Sequence, residues 1–265
     1  MRDLKNLMDM RGKRALITGG AGHLGQTMAD SLAQLGADVI LVDLPGAPTR
    51  IVADKIASER GVCVMALDCD LEDEKSRIEL VDEVSQGGLS VLINNAALGG
   101  TADLAGWAEP LENQRIDTWR RALEVNLTAV FHLCQLFAPT LNRCAGGNII
   151  NIASIYGLWG PDYRLYTGTQ MANPAAYGAS KGGVLQLTRW LSTTLAPEVR
   201  VNAISPGGIA RGQPRSFLKS YAARTPLGRM AVEEDFCGAV AYLASDLSAY
   251  VTGQVLSVDG GWGVW

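Results

Sequence analysis

The chain is short of histidine, of clustered charge and of long apolar runs, and each shortage removes a class of function. Its two histidines, His23 and His132, offer little to a histidine-based metal centre or hydrolase triad. The five cysteines, Cys63, Cys69, Cys134, Cys144 and Cys237, include no C-x-x-C pair. They read as small buried residues in a reducing compartment, and no metal is expected. No stretch approaches the roughly 18 consecutive apolar residues of a membrane span, and the opening MRDLKNLMDMRGKR lacks the apolar core of a signal peptide. A soluble, cytoplasmic protein is the expectation. The formal net charge of −4 comes with no basic block, which argues against nucleic acid or a membrane surface and for a small-molecule partner.

What is present is 265 residues with 48% apolar content, enough for one large α/β domain spanning 1–265. Short β-branched runs alternate with helical patterns. The runs predict strands at 14–18, 37–43, 62–68, 89–97, 147–154, 199–208 and 254–261. Helices are predicted from near residue 25 and over about 73–84, 118–141, 175–195 and 233–244. Seven parallel strands with right-handed crossovers need helices on both faces, a doubly wound sheet. Two segments break the rhythm, 155–174 and 209–227. Both follow strands, where ligands bind in such sheets, so they are read as substrate loops.

The stretch TGGAGHLG (18–25) joins the first strand to the first helix. Gly20, Gly22 and Gly25 satisfy G-x-G-x-x-G, and Gly19, Gly22 and Gly25 are read as making the turn. Such a turn lets the backbone approach a pyrophosphate while the helix N-terminus offers free N–H groups to it. Asp43 ends the second strand 18 residues after Gly25, where a carboxylate can receive the adenosine ribose hydroxyls. It would repel a 2′-phosphate, and Leu44 and Pro45 supply no cation, so NAD is favoured over NADP. Tyr177 and Lys181, four apart on a predicted helix, share a face. An ammonium near a phenol, with the positive ring of NAD⁺, is expected to bring the tyrosine pKa down toward neutrality.

With these residues in place, the chain resembles the short-chain dehydrogenase/reductase family along almost its whole length. The motifs run in order: the glycine turn, DLED (70–73), NNAA (94–97), Asn126 in VNLTAVF, Ser154 in NIAS, YGASK (177–181), SPGG (205–208) and VDGG (258–261). The resemblance implies a Rossmann-type fold. It places Gly19, Gly22, His23, Leu24, Gly25 and Asp43 on the cofactor, with Asp70 and Leu71 at the adenine. Asn95 and Ala96 fall at its centre, and Pro206, Gly207 and Ile209 near the nicotinamide. It implies that Tyr177 is the general acid/base and exchanges a proton with the alcohol as hydride passes to or from the nicotinamide. Ser154 would hydrogen-bond the reacting oxygen. Lys181 would hold the nicotinamide ribose, and Asn126 a water that relays protons to it. Homotetramers or homodimers through the two long helices are also implied.

The chain departs from the family in four places. His23 stands where the classical branch has glycine, giving the T-G-x-x-G-x-x-G spacing of the extended branch, whereas the length and YGASK are classical. The imidazole could meet a phosphate, the adenine or solvent. Ala97 replaces the glycine of N-N-A-G, and Arg211 replaces a threonine expected at the nicotinamide amide. Ser154 and Tyr177 lie 23 residues apart, so a loop is inserted between them. Its Trp159, Asp162, Tyr163, Arg164 and Tyr166 suit a sugar ring and its hydroxyls, as Arg211 suits a substrate or phosphate, though such residues also suit a subunit interface. The leading expectation is NAD(H)-dependent interconversion of a secondary alcohol and a ketone on a polyol, sugar or sugar nucleotide. A 3-oxoacyl-type reductase, a sugar-nucleotide epimerase or dehydratase, and a non-catalytic dinucleotide-binding protein are the alternatives.

Overall fold

Buried β-branched runs form one parallel sheet in the computed structural model, which describes residues 2–99, 102, 104–169 and 171–265. The inserted segment 155–174 is therefore described apart from residue 170. A short helix, α1 (Leu4–Met8), precedes β1 (Arg14–Thr18). There follow α2 (His23–Gln34), β2 (Asp38–Asp43), α3 (Thr49–Arg60), β3 (Val64–Asp68), α4 (Glu74–Ser85) and β4 (Val91–Asn94). The second half holds α5 (Ile116–Leu123), α6 (Ala129–Asn142), β5 (Gly147–Ile152), α7 (Ile155–Leu158) and α8 (Ala175–Thr194). It ends with β6 (Val199–Pro206), α9 (Arg215–Arg224), α10 (Cys237–Ala244) and β7 (Val255–Val258). The strand order is β3-β2-β1-β4-β5-β6-β7, with Leu16 in register with both Ile40 and Leu92, and Ile150 with Asn202.

Alternate side chains of each strand feed two cores. Leu16, Ile40, Leu92 and Ile149 pack with Val84 of α4, Phe137 of α6 and Leu185 of α8. Ile17, Leu41, Ile93 and Ile150 pack on the other face with Met28 of α2, Ala53 of α3 and Val240 of α10. That two-sided burial is why the strands read as unbroken apolar runs. The chain leaves β3 and crosses back to place β4 on the far side of β1, so the order reverses between β1 and β4. A crevice opens at such a reversal, beyond the carboxyl ends of the strands.

The structure differs from the sequence reading in a few elements. Helix α3 was not expected, because only Thr49, Val52, Ala53 and Ile56 are buried and the rest of its surface is mostly polar, with Ile51 exposed. The single helix expected over 118–141 is interrupted by one wide π-type turn at Glu124–Thr128, which carries Asn126 into the interior. Within 209–227, taken as a loop, α9 forms and buries Phe217 and Tyr221. Strand β4 is shorter than expected, because Asn95 and Ala96 turn away from the sheet to bond Thr18. Among the described residues no helix is long and apolar enough to cross a membrane, and no three His, Cys, Asp or Glu side chains converge as metal ligands would.

Candidate active site

A cleft of about 840 Å³ lies over the β1/β4 reversal. Its floor at the β1 end is the glycine turn. Gly19 has φ +66°, and a Cβ there would meet Asn95 Nδ2 at 2.9 Å and the Ala96 Cα at 3.0 Å. A Cβ on Gly25 would meet the Gly19 carbonyl at 2.1 Å, so only glycine lets α2 start this close to β1. Asn95 locks the seam by donating to the Thr18 and Gly19 carbonyls at 2.9 and 3.2 Å. Helix α2 has Gly22 as its N-cap with no side-chain cap, which leaves the first-turn N–H groups for an anion. His23 and Leu24 open this helix and line the cleft.

Asp43, at the end of β2, accepts from the Ala21 N–H at 2.9 Å and the Leu44 N–H at 2.8 Å. Both oxygens are thereby oriented while the carboxylate still lines the cleft. Cys69, Asp70 and Leu71 form the adjoining wall. Burial pushes the Cys69 thiol up to about 11, which makes it unreactive. Behind this wall stands a buried cation that the sequence did not single out. Arg77 donates to the Leu71 carbonyl, to Glu124 at 2.7 Å and to His132 Nδ1 at 3.1 Å. It ties the Leu71 wall to the π turn that carries Asn126. Its partners lie 47 and 55 residues away, so no local pattern could reveal them.

Beyond β5 the chemistry-bearing residues converge. Ser154 caps α7, its hydroxyl accepting from the Tyr156 N–H at 3.2 Å. Tyr177 and Lys181 lie one turn apart on α8, with Nζ 5.8 Å from the phenol ring centroid. Lys181 is 3% exposed, donates to the Ile152 carbonyl at 2.6 Å, and burial lowers its pKa to about 8. Burial raises the Tyr177 pKa, against the lowering influences of the Ser154 hydroxyl and the Arg211 guanidinium. Among the protein's own groups desolvation outweighs the rest, so the expected lowering toward neutrality rests on the positive ring of NAD⁺. Asn126 accepts from the Leu98 N–H at 2.7 Å and donates to the Leu98 carbonyl at 3.1 Å and Ser180 at 3.2 Å. With its amide so engaged, a relay water would have to sit on its main-chain carbonyl.

Of the expected substrate residues, Arg211 and Tyr166 line the cleft, whereas Trp159, Asp162, Tyr163 and Arg164 do not. Trp159 is 51% exposed and packs on the turn at Gly263. Tyr163 points outward, and Arg164 pairs with Asp162 at 2.7 Å. One tight turn at Tyr163–Tyr166 sends Leu165 into the interior and Tyr166 into the cleft. Tyr156, Tyr166, Asn173, Phe217 and Tyr221 make the wall instead. The Tyr156 and Tyr166 hydroxyls are 2.8 Å apart, Asn173 donates to Tyr166 at 3.3 Å, and the Gly208 N–H donates to Tyr221 at 2.6 Å. Pro206, Gly207 and Ile209 line the mouth opposite α2. Aromatic residues throughout 155–221 were visible in the sequence, but which of them faced inward was not.

A glycine cradle, an uncapped helix N-terminus and an oriented carboxylate at the end of β2 are features a dinucleotide site uses, and Ser154, Tyr177 and Lys181 line the same cleft. These features define a dinucleotide-dependent oxidoreductase of the doubly wound class. The family model described as Enoyl-(Acyl carrier protein) reductase matches residues 19–263, and the chain belongs to the short-chain dehydrogenase/reductase family. It is 36% identical to the cis-4-hydroxycyclohexanecarboxylate dehydrogenase of Sinomonas cyclohexanicum, over 94% of this chain and 95% of that one. It is 32% identical to the 3-oxoacyl-[acyl-carrier-protein] reductase FabG of Thermotoga maritima, over 96% and 99%. Among solved structures, a gluconate 5-dehydrogenase from Burkholderia cenocepacia, in complex with NADP and tartrate, superposes with a TM-score of 0.87 at 28% identity, covering 99% and 100%.

Proposed function

We propose that the protein is an NAD(H)-dependent dehydrogenase that interconverts a secondary alcohol and a ketone on a hydroxylated ring or polyol. The observation that carries the reading is the convergence of Ser154, Tyr177 and Lys181 on the same cleft as the glycine turn. When bound, the nicotinamide supplies a hydride acceptor or donor; the protein supplies everything that handles protons and charge. Ser154 holds the reacting oxygen, and Tyr177 removes its proton in oxidation and returns it in reduction. Lys181, anchored on the Ile152 carbonyl, keeps a positive charge under the phenol. The Tyr156, Tyr166 and Asn173 groups favour a hydroxylated substrate over the acyl chain of a 3-oxoacyl reductase. The reading is tested by NAD(P)H absorbance change over polyols, sugars, nucleotide sugars, cyclic hydroxy acids and 3-oxoacyl thioesters. Turnover confined to the thioesters, or product formed without net cofactor change, overturns it.

The NAD preference rests on Asp43. The cleft's basic side chains among the described residues are His23, Lys181 and Arg211; Asp43 itself faces any 2′-phosphate. Solved relatives hold NADP in three cases and NAD⁺ in another, so the preference is a claim about this carboxylate. Asp43→Asn keeps an acceptor for the Ala21 N–H and removes the charge. It is expected to weaken NAD⁺ binding by about tenfold, the worth of a charge-assisted hydrogen bond, while NADP⁺ holds or gains. Dissociation constants for both cofactors decide it, and equal losses sink the assignment.

A further inference from the structure

The substrate end of the cleft holds one guanidinium, Arg211, where the family pattern has threonine. Its backbone is pinned. The Ala210 N–H donates to the Ala231 carbonyl at 2.9 Å. The Gln213 side chain spans the turn, accepting from the Arg211 N–H at 2.6 Å and donating to the Ile209 carbonyl at 2.8 Å. The side chain, by contrast, is held at one corner. Nε donates to Glu233 at 2.7 Å, the guanidinium's only hydrogen bond among the described residues, so its two terminal nitrogens have no hydrogen-bond partner there. The two partners are 38% and 22% exposed, a setting in which an ion pair contributes little and is readily exchanged. Burial pushes Glu233 up, yet Arg211, with His23 behind it, brings its pKa below the usual value. The group beside Arg211 is therefore a carboxylate at neutral pH.

Building on the alcohol–ketone reading, we propose that the substrate carries a carboxylate remote from its reacting carbinol and that Arg211 binds it. Glu233 occupies the guanidinium as an internal stand-in until the substrate arrives. A planar fork of N–H donors matches a carboxylate two-pronged, and a neutral polyol would leave it without a partner. Of the cleft's other basic groups, Lys181 is held by the Ile152 carbonyl beside the phenol, and His23 stands at the start of α2. The cofactor's pyrophosphate is already served by that helix N-terminus. Arg211 lines the same cleft as Ser154 and Tyr177.

The test is calorimetric titration of the full chain, saturated with NADH, with cyclohexanecarboxylate, gluconate and their neutral amides. At least one acid should bind about tenfold or more tightly than its amide. Arg211→Gln should erase that advantage, Arg211→Lys should keep part of it, and Glu233→Gln should enlarge it. The proposal is overturned if no acid outbinds its amide. It is also overturned if Arg211→Gln weakens NADH as much as the acid, which would put the guanidinium on the cofactor's phosphates. An acid preference that depends on Arg211, in a protein that turns over no alcohol, would instead defeat the alcohol–ketone reading and leave the anion site standing.

Discussion

Replacing Tyr177 with phenylalanine is expected to lower kcat for alcohol oxidation by about 10²–10⁴-fold, the usual worth of a positioned acid/base, while NADH still binds. The ring and its packing remain; only the proton acceptor goes. No other phenol of the cleft is free to substitute, because the Tyr156 and Tyr166 hydroxyls are bonded to each other and that of Tyr221 is taken by Gly208. The pH dependence carries a sign. Oxidation needs the phenolate, and burial holds the Tyr177 pKa above its ordinary value in the protein's own field. Oxidation should therefore quicken as pH rises, and ketone reduction, which needs the phenol, should slow. The remaining lowering influence is the positive ring of the oxidised cofactor. Steady-state rates and NADH fluorescence titration across pH check both statements. A Phe variant within about tenfold of the wild type would remove Tyr177 from the acid/base role.

Lys181→Met is expected to make the protein more stable and nearly inactive. The ammonium is 3% exposed with one hydrogen bond to the Ile152 carbonyl. A fall in its pKa from 10.5 to about 8 corresponds to about 3 kcal/mol of unfavourable burial of the charged form. Methionine relieves that and leaves the Ile152 carbonyl unpaired, a loss of about 1–3 kcal/mol. A net gain of about 1 kcal/mol raises Tm by about 2–4 °C in a chain of this size. The linkage runs as follows in pH. Below about 8 the lysine is protonated both folded and unfolded, and the full penalty is present. Between about 8 and 10.5 the unfolded chain holds more protons, so wild-type stability from this group rises with pH and the advantage of methionine shrinks. Activity should fall about 10²–10³-fold, in keeping with a charge that acts on the transition state. Calorimetry at neutral and alkaline pH, beside kcat, reads both; a Tm lowered at neutral pH would mean that the ammonium stabilises the fold.

What was legible in the sequence was whatever is written locally. Two-sided burial makes the inner strands β1, β2 and β4 nearly unbroken apolar runs, and the other strands were readable from their short apolar stretches between helical patterns. The Gly19–Gly25 turn was readable because a Cβ at Gly25 would strike the Gly19 carbonyl. Tyr177 and Lys181 were readable as a pair because a helix places fourth neighbours together. Helix α3 and the π turn were missed, since a weakly amphipathic helix and a one-residue widening leave almost no periodic trace.

The sequence by itself thus determined the sheet, the cofactor cradle and the identity of the Ser–Tyr–Lys group. Tertiary structure decided which way side chains face and what field they feel. It turned Tyr156 and Tyr166 into the cleft and left Trp159, Tyr163 and Arg164 outside it. It gave Arg211 a partner 22 residues away and Arg77 partners 47 and 55 away. It also set the burial that raises the Tyr177 pKa in the protein's own field. The physical reason is common to all three: inward facing, ion pairing and desolvation depend on which distant segments pack together, and that packing has no local periodicity.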